Sequence, residues 1–250
     1  MSRALRGASL VALVLGLAPA AAAQDFAIPR ISIDAGPPGS PQQAATALQI
    51  VAILTILSVA PAILLMLTSF TRVIIVLSLL RQAIGVPQLP PNQVLIGLSL
   101  FLTVFIMAPV VEDIRKVAWD PYSEKKINQT EALSRAMGPL REFMLRQSRQ
   151  SDVALMVALA KLPAPEAPAD LPTHVIIPAF ALSEIRTAFQ IGFALFIPFL
   201  IIDMVVSSVL MSMGMLMLPP VMISMPFKLL LFVLADGWHL VVRALVAGFR

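Results

Sequence analysis

Long apolar segments alternate with short polar breaks along this chain, and several of them approach the length of a membrane span. The apolar segments are residues 44–67 continued by 73–80, then 94–111, 175–213 and 227–249. An α-helix needs about 20 mostly apolar residues to cross a bilayer. The pattern therefore predicts an all-α membrane protein with four main apolar helical segments.

Residues 112–174 break this pattern, because acidic and basic side chains balance each other there. Within this stretch, residues 130–150 place apolar side chains at helical spacing between charged ones. A proline-rich linker, LPAPEAPADLP, follows. We expect a soluble helical insert that separates a first pair of apolar helices (44–111) from a second pair (175–250).

The first 23 residues have the three parts of a secretory signal peptide. A short segment with two arginines precedes an apolar stretch at 8–17, and Ala21 and Ala23 occupy the small-residue positions before the predicted cleavage point. We expect the signal peptide 1–23 to be removed. Residues 24–43 are rich in proline and glycine, which predicts a flexible periplasmic segment.

The predicted signal peptide also sets the expected topology in a bacterial inner membrane. It places the mature N-terminus outside the cytoplasm, and two apolar units then bring the chain in and back out. The insert 112–174 is therefore predicted to be periplasmic. Arg72 and Arg81 would lie toward the cytoplasmic side, as the positive-inside rule prefers.

Composition supports the membrane assignment and excludes several function classes. Of the 250 residues, 58% are hydrophobic and 13% are charged, with a mean hydropathy of +0.89, whereas soluble domains are about 25% charged. The chain has no cysteine and two histidines, so we expect no metal site. It has no phosphate-binding loop, HExxH or GxSxG motif, which indicates neither an enzyme nor a cofactor. Its scattered bases predict no nucleic-acid partner.

Charged residues inside apolar segments indicate a role, because a charge in hydrocarbon costs at least about 2.5 kcal/mol. Glu184 lies near the start of the third segment and Asp203 at its centre, while Lys228 and Asp236 lie in the fourth. Pairing within a protein interface is one explanation, and a proton relay is the other. Prolines kink the same segments, which favours helices buried in an oligomer, around a pore.

Methionines concentrate at residues 211–226, where four of them alternate from Met211 to Met217. Residues two apart do not share a helical face, and Pro219 and Pro220 follow. We therefore predict a pore loop over 211–226. Methionine is soft enough to seal an opening and still yield, although it is also a common filler of apolar helices.

Three stretches of the chain resemble the FliP family of type III secretion export-gate proteins: residues 66–110 (MLTSFTRVIIVLSLL and onward), 177–211 (IPAFALSEIRTAFQI and onward) and 218–242 (LPPVMISMPFKLLLF and onward). The resemblance implies a core subunit of the flagellar protein export gate in the basal body. It implies a helical ring of about five copies that binds FliQ and FliR, beside other export-apparatus membrane proteins. Unfolded flagellar proteins would pass through its channel, and the signal peptide favours the flagellar member over the virulence one.

The resemblance also implies roles for individual residues. Met215, Leu216 and Met217 match the family's methionine gasket, with leucine at a position where methionine is usual. Glu184 and Lys228 match an acid–base contact between subunits. The roles of Asp203, together with Asp236 and Arg72 as further buried charges, stay open. The alternative function is a small-solute or proton transporter or channel, which these charges suggest.

Overall fold

The computed structural model describes most of the chain after residue 40. The described residues are 41–86, 88–163, 167, 170–215 and 218–249, with side chains described from residue 46 on, except at Leu64. The predicted signal peptide, including Ala21 and Ala23, lies outside the described residues, as does most of the predicted periplasmic segment 24–43.

Every long regular element in the described residues is a helix, which confirms the predicted all-α fold. The helices are α1 (Pro41–Met66), α2 (Phe70–Ile84), α3 (Asn92–Ile114), a π-helical turn (Arg115–Trp119), α4 (Asp120–Ser123), α5 (Gln129–Gln147), α6 (Gln150–Leu159), α7 (Thr173–Ser212), α8 (Pro220–Leu234) and α9 (Gly237–Ala247).

Three of the described helical stretches are long and apolar enough to cross a membrane: Thr46–Ile63, Asn92–Ser123 and Thr173–Ser212. A fourth arises if α8 and α9, which meet at a bend of 64°, act together. These correspond to the four predicted apolar segments. At 1.5 Å per residue, the 40 residues of α7 extend about 60 Å, so α7 is longer than the roughly 30 Å hydrocarbon core of a bilayer.

The chain divides into two compact units, residues 1–56 and 57–250. In the first unit, the described part of α1 exposes large apolar side chains, including Leu48, Val51 and Leu54. An apolar helix with such an exposed surface is typical of a membrane-embedded segment.

The second unit has two apolar clusters, both of which contain residues of α7. One cluster joins α7 to α2, α3, α8 and α9, and the other joins the first turns of α7 to α3, α5 and α6. The contact between α2 and α7 is close at Gly192, where an added Cβ would lie 2.2 Å from Leu79 Cδ1. Only glycine fits there without movement of the Leu79 side chain or of α2. Phe249 packs against both clusters.

The predicted insert 112–174 contains α4, α5 and α6, and its first predicted boundary at 112 lies within a helical stretch. Helix α3 continues through Ile114 into the π-helical turn and α4, so the backbone stays helical past the charged residues. The charges at Glu112 and Arg115 are exposed and pair with each other, which lets the helix continue into a polar environment. Asn128 Oδ1 accepts from the amide of Glu131 at 2.8 Å and begins α5.

Candidate functional site

Helix α7 ends in a tight turn at the start of the methionine-rich stretch. Gly214 adopts a left-handed backbone with φ of 76°. Its amide donates to Met211 O at 3.0 Å, and the amide of Met215 donates to Leu210 O at 3.0 Å. These two bonds form the Schellman motif, which favours glycine at this position. The turn sets the direction in which the chain leaves α7.

The loop between α7 and α8 is shorter than the predicted 211–226. Met211 lies in the last turn of α7, while Met222 and Met225 lie on α8, because Pro220 occupies the first helical position and begins α8. Within the predicted gasket, Met215 follows the turn and is exposed. Leu216 and Met217 lie outside the described residues.

Helices α7 and α8 form a hairpin with an apolar groove between them near the turn. The groove has a volume of about 460 Å³ and is lined by Ile201, Ile202, Val205, Val206, Val209, Leu210, Ile223 and Phe227. Every one of these lining side chains is apolar, so the groove itself offers water no polar side chain.

One ion pair joins the two helices of this hairpin. Lys228 Nζ donates to Asp203 Oδ2 at 2.7 Å, and Ser224 Oγ donates to Asp203 Oδ1 at 2.6 Å. Lys228 and Ser224 are buried, and Asp203 is half-buried. Both carboxylate oxygens of Asp203 thus accept a bond from α8, which satisfies a charge in an apolar segment.

Lys228 also lies close to the end of α2. A Cβ added at Gly85 would be 3.9 Å from Lys228 Nζ. Gly85 ends α2 with φ of 87°. Because the carboxyl end of a helix carries partial negative charge, this position favours the lysine ammonium group. Lys228 therefore connects α8 to α7 directly and lies against the end of α2.

Arg72 and Glu184 form a second, fully buried ion pair, between α2 and α7. Arg72 Nε donates to Glu184 Oε2 at 3.0 Å, and Nη2 donates to Oε1. Both side chains are almost inaccessible to solvent. A planar guanidinium that binds both carboxylate oxygens is the strongest form of this interaction.

The remaining donors of Arg72 bind α5 and the residues after α9. Nη2 also donates to Gln147 Oε1 at 3.1 Å, and Nη1 donates to Gly248 O at 3.1 Å. The guanidinium carbon lies 3.8 Å from the centroid of the Phe249 ring, a cation–π geometry. Gln147 and Phe249 were not predicted as site residues, because nothing in their spacing relates them to Arg72.

A further buried charge, Asp152 on α6, connects the insert to α7. Ser183 Oγ donates to Asp152 Oδ2 at 2.8 Å, and Arg186 Nη2 lies 3.2 Å from Asp152 Oδ1. The amide of Arg149 in turn donates to Ser183 Oγ at 3.0 Å. Asp152 lies in the first turn of α6, where a carboxylate is favoured. Asp152 was not predicted as a site residue, because it lies in a polar insert, where charged side chains are usually solvated.

Three predicted site residues have the following surroundings within a single chain. Glu184 and Lys228 were expected to pair between subunits, and each has another partner within the chain, Arg72 and Asp203 respectively. Asp236 was expected to be buried, yet it is exposed in the bend between α8 and α9. Its Oδ2 lies 3.2 Å from His239 Nδ1.

The family model and the individual relatives that match this chain identify the same protein family. Residues 53–245 match the FliP family model. The flagellar biosynthetic protein FliP of Bacillus subtilis (strain 168) is 55% identical over 209 residues, which cover 84% of this chain and 95% of that protein. The FliP of Pectobacterium carotovorum subsp. carotovorum is 54% identical over 212 residues, 85% of this chain and 82% of that protein.

A third relative covers almost the whole chain. The FliP of Caulobacter vibrioides (strain ATCC 19089 / CIP 103742 / CB 15) is 49% identical over 241 residues, 96% of this chain and 89% of that protein. The matched region contains the α7–α8 hairpin and both buried ion pairs. The chain therefore belongs to the FliP family of flagellar biosynthetic membrane proteins.

Proposed function

We propose that this chain is a core subunit of the flagellar type III protein export gate. With FliQ and FliR it forms the channel through which unfolded flagellar proteins cross the bacterial inner membrane. The observation that carries this proposal is the family match over residues 53–245, which includes the described helices from α2 through α8 in full. Relatives named for flagellar biosynthesis share about half of its residues.

The apolar surface of the single chain supports assembly into a ring. Helices α7 and α8 expose large apolar residues such as Phe189, Phe193 and Leu230, and such surfaces are covered by lipid or by other proteins. A ring of about five copies bound to FliQ and FliR would cover them. The insert and the mature N-terminus face the periplasm in this proposal.

The proposed constriction is the loop that follows α7. Met215, Leu216 and Met217 from each subunit would meet around the channel axis and exclude water while the gate is closed. The Schellman turn at Gly214 supports this role, since it gives the loop a defined start on a rigid helix. The flexible thioether side chains then adapt around a passing polypeptide.

We propose that Glu184 of one subunit contacts Lys228 of its neighbour. In that contact each residue would add a second partner to the one it has within the chain, Arg72 for Glu184 and Asp203 for Lys228. Lys228 Nζ has three donors, of which Asp203 accepts one. Both Lys228 and Glu184 are buried in the single chain, so the contact requires the helices around them to move apart when subunits assemble. The chain has no native cysteine. Co-expression of a Glu184→Cys chain with a Lys228→Cys chain should therefore give a dimer when a bifunctional thiol crosslinker as long as a Glu–Lys pair is added, and absence of that dimer in assembled rings contradicts the contact.

The experiment that tests the proposed function is native mass spectrometry of the chain after co-expression with FliQ and FliR in mild detergent. We expect one complex that contains several copies of this chain and both partners. A monomer or dimer that never retains FliQ and FliR would contradict the proposal and favour the transporter alternative.

A further inference from the structure

Four methionine side chains are exposed at the end of the α7–α8 hairpin, and we call them the methionine tip. Their exposed fractions are 60% for Met211, 66% for Met213, 41% for Met215 and 62% for Met222. Elsewhere in the same chain, Met107 and Met144 are only 5% and 0% exposed. The protein thus contains accessible and inaccessible thioethers that can be compared in one experiment.

Exposed thioethers are the methionines that peroxide oxidises first. The sulfur lone pair attacks one oxygen of hydrogen peroxide, an S–O bond forms and the O–O bond breaks. The hydroxide that leaves takes the proton of the new S–OH group, which yields methionine sulfoxide and water. Sulfur loses two electrons and the peroxide gains them, so the peroxide is the only co-reactant required.

A sulfoxide at this place would find no polar side chain in the groove beside it. The groove that leads to the methionine tip is lined by apolar side chains alone, among them Val209, Leu210 and Ile223. A polar S=O group would therefore satisfy its oxygen by attracting water. Where exclusion of water keeps a constriction closed, added water opens it.

We propose that the methionine tip is a site of reversible sulfoxidation by peroxide, and that this modification makes the closed gate leak ions. The first half rests on the exposed positions of Met211, Met213, Met215 and Met222. The second half rests on the proposed function, since a leak requires that this hairpin end border the channel. Methionine sulfoxide reductases reverse the modification, which makes the site a redox switch.

The test uses the complete complex with FliQ and FliR in lipid vesicles, treated with graded hydrogen peroxide. Peptide mass spectrometry measures the oxidised fraction of each methionine, and ion flux across the vesicle wall is recorded before and after treatment. The oxidised fraction at the methionine tip should exceed that at Met107 and Met144 by at least roughly fivefold. Ion flux should rise with it and fall again after treatment with the reductases.

Two variants distinguish the effect of oxidation at the methionine tip on ion flux from its effect at other exposed methionines. In the first, Met211→Leu, Met213→Leu, Met215→Leu and Met222→Leu are combined, and the response of ion flux to peroxide should disappear. In the second, Met204→Leu removes a thioether that is 69% exposed but lies on α7 away from the turn. This matched control should respond to peroxide as the unaltered protein does.

Two outcomes would overturn one part of the proposal each. Equal oxidation of the methionine tip, Met107 and Met144 would overturn the site. Selective oxidation with unchanged ion flux would overturn the switch. Failure of the proposed function is seen separately, without peroxide, if alanine at Met215 and Met217 produces no leak.

Discussion

Lys228 Nζ lies 2.7 Å from Asp203 Oδ2, and this bond crosses from α8 to α7 within the hairpin that carries the methionine loop. Asp203 lies nine residues before the end of α7, and Lys228 lies eight residues after the first residue of α8. The pair therefore fixes the two helices relative to each other on the approach to the loop. An ion pair at this depth sets the alignment of the hairpin, which apolar contacts alone would specify less strictly.

Removal of one member of this pair should be more harmful than removal of both. Asp203→Asn leaves the buried ammonium of Lys228 unpaired, which costs about 3–5 kcal/mol. Asp203→Asn combined with Lys228→Met should recover a large part of that loss. The yield of assembled complex and its thermal midpoint in detergent measure the effect, and a double variant less stable than Asp203→Asn would contradict direct pairing.

The buried pair of Arg72 and Glu184 should not tolerate lysine in place of arginine. Arg72→Lys keeps the charge but loses the bidentate geometry and the bonds to Gln147 and Gly248. We therefore expect the free energy of unfolding to fall by roughly 2–4 kcal/mol.

Arg135→Met is the matched control for Arg72→Lys, because Arg135 pairs with Glu131 on the exposed face of α5. Arg135→Met should lower the free energy of unfolding by less than about 0.5 kcal/mol. Thermal unfolding in detergent compares the two variants. An equal effect of Arg72→Lys and Arg135→Met would mean that the buried pair does not hold α2 against α7.

Gly192→Ala should loosen the contact between α2 and α7. The added Cβ would lie 2.2 Å from Leu79 Cδ1, and such overpacking typically costs about 1–3 kcal/mol. Leu79→Ala in the same chain should relieve the clash.

Gly138→Ala provides the control for Gly192→Ala, since Gly138 also lies within a helix and has nothing within 4 Å of an added Cβ. There alanine should be neutral or stabilising by up to about 1 kcal/mol. If both variants have the same thermal midpoint, the close approach of α2 and α7 does not limit stability.

Gly214→Ala should displace the loop that follows α7. An L-residue with a Cβ in the left-handed conformation costs about 1–2 kcal/mol, and asparagine is tolerated better than alanine. We therefore expect Gly214→Ala to reduce motility in a swarming assay and Gly214→Asn to reduce it less. Gly97→Ala, in α3 with open space around it, should have no effect, and equal motility of Gly214→Ala and Gly97→Ala would contradict a defined turn.

The apolar pattern was sufficient to predict the long helices. In a membrane, a segment such as 175–213 can pair its backbone N–H and C=O groups only by forming a helix. The alternating methionines predicted a loop from residue 211, and α7 ends at Ser212. The predicted loop was too long because Pro219 and Pro220 were interpreted as part of it, whereas Pro220 begins α8.

The partners of the buried charges were beyond sequence reasoning. Arg72 and Glu184 are 112 positions apart, and no local spacing connects them. The contact exists because α2 packs along α7, with Gly192 allowing the close approach. Asp203 and Lys228 are only 25 positions apart, yet their pairing depends on where the turn falls, which the sequence-based loop boundaries misplaced.

The most direct test of the account is ion conductance through the assembled complex with FliQ and FliR in planar bilayers. The unaltered complex should be closed to small ions. A variant with Met215→Ala and Met217→Ala should leak, because alanine is too short to fill the constriction, while Met204→Ala on the outer face of α7 should stay closed. A methionine-loop variant that conducts no more than the unaltered complex would contradict the central claim that this loop seals the export channel.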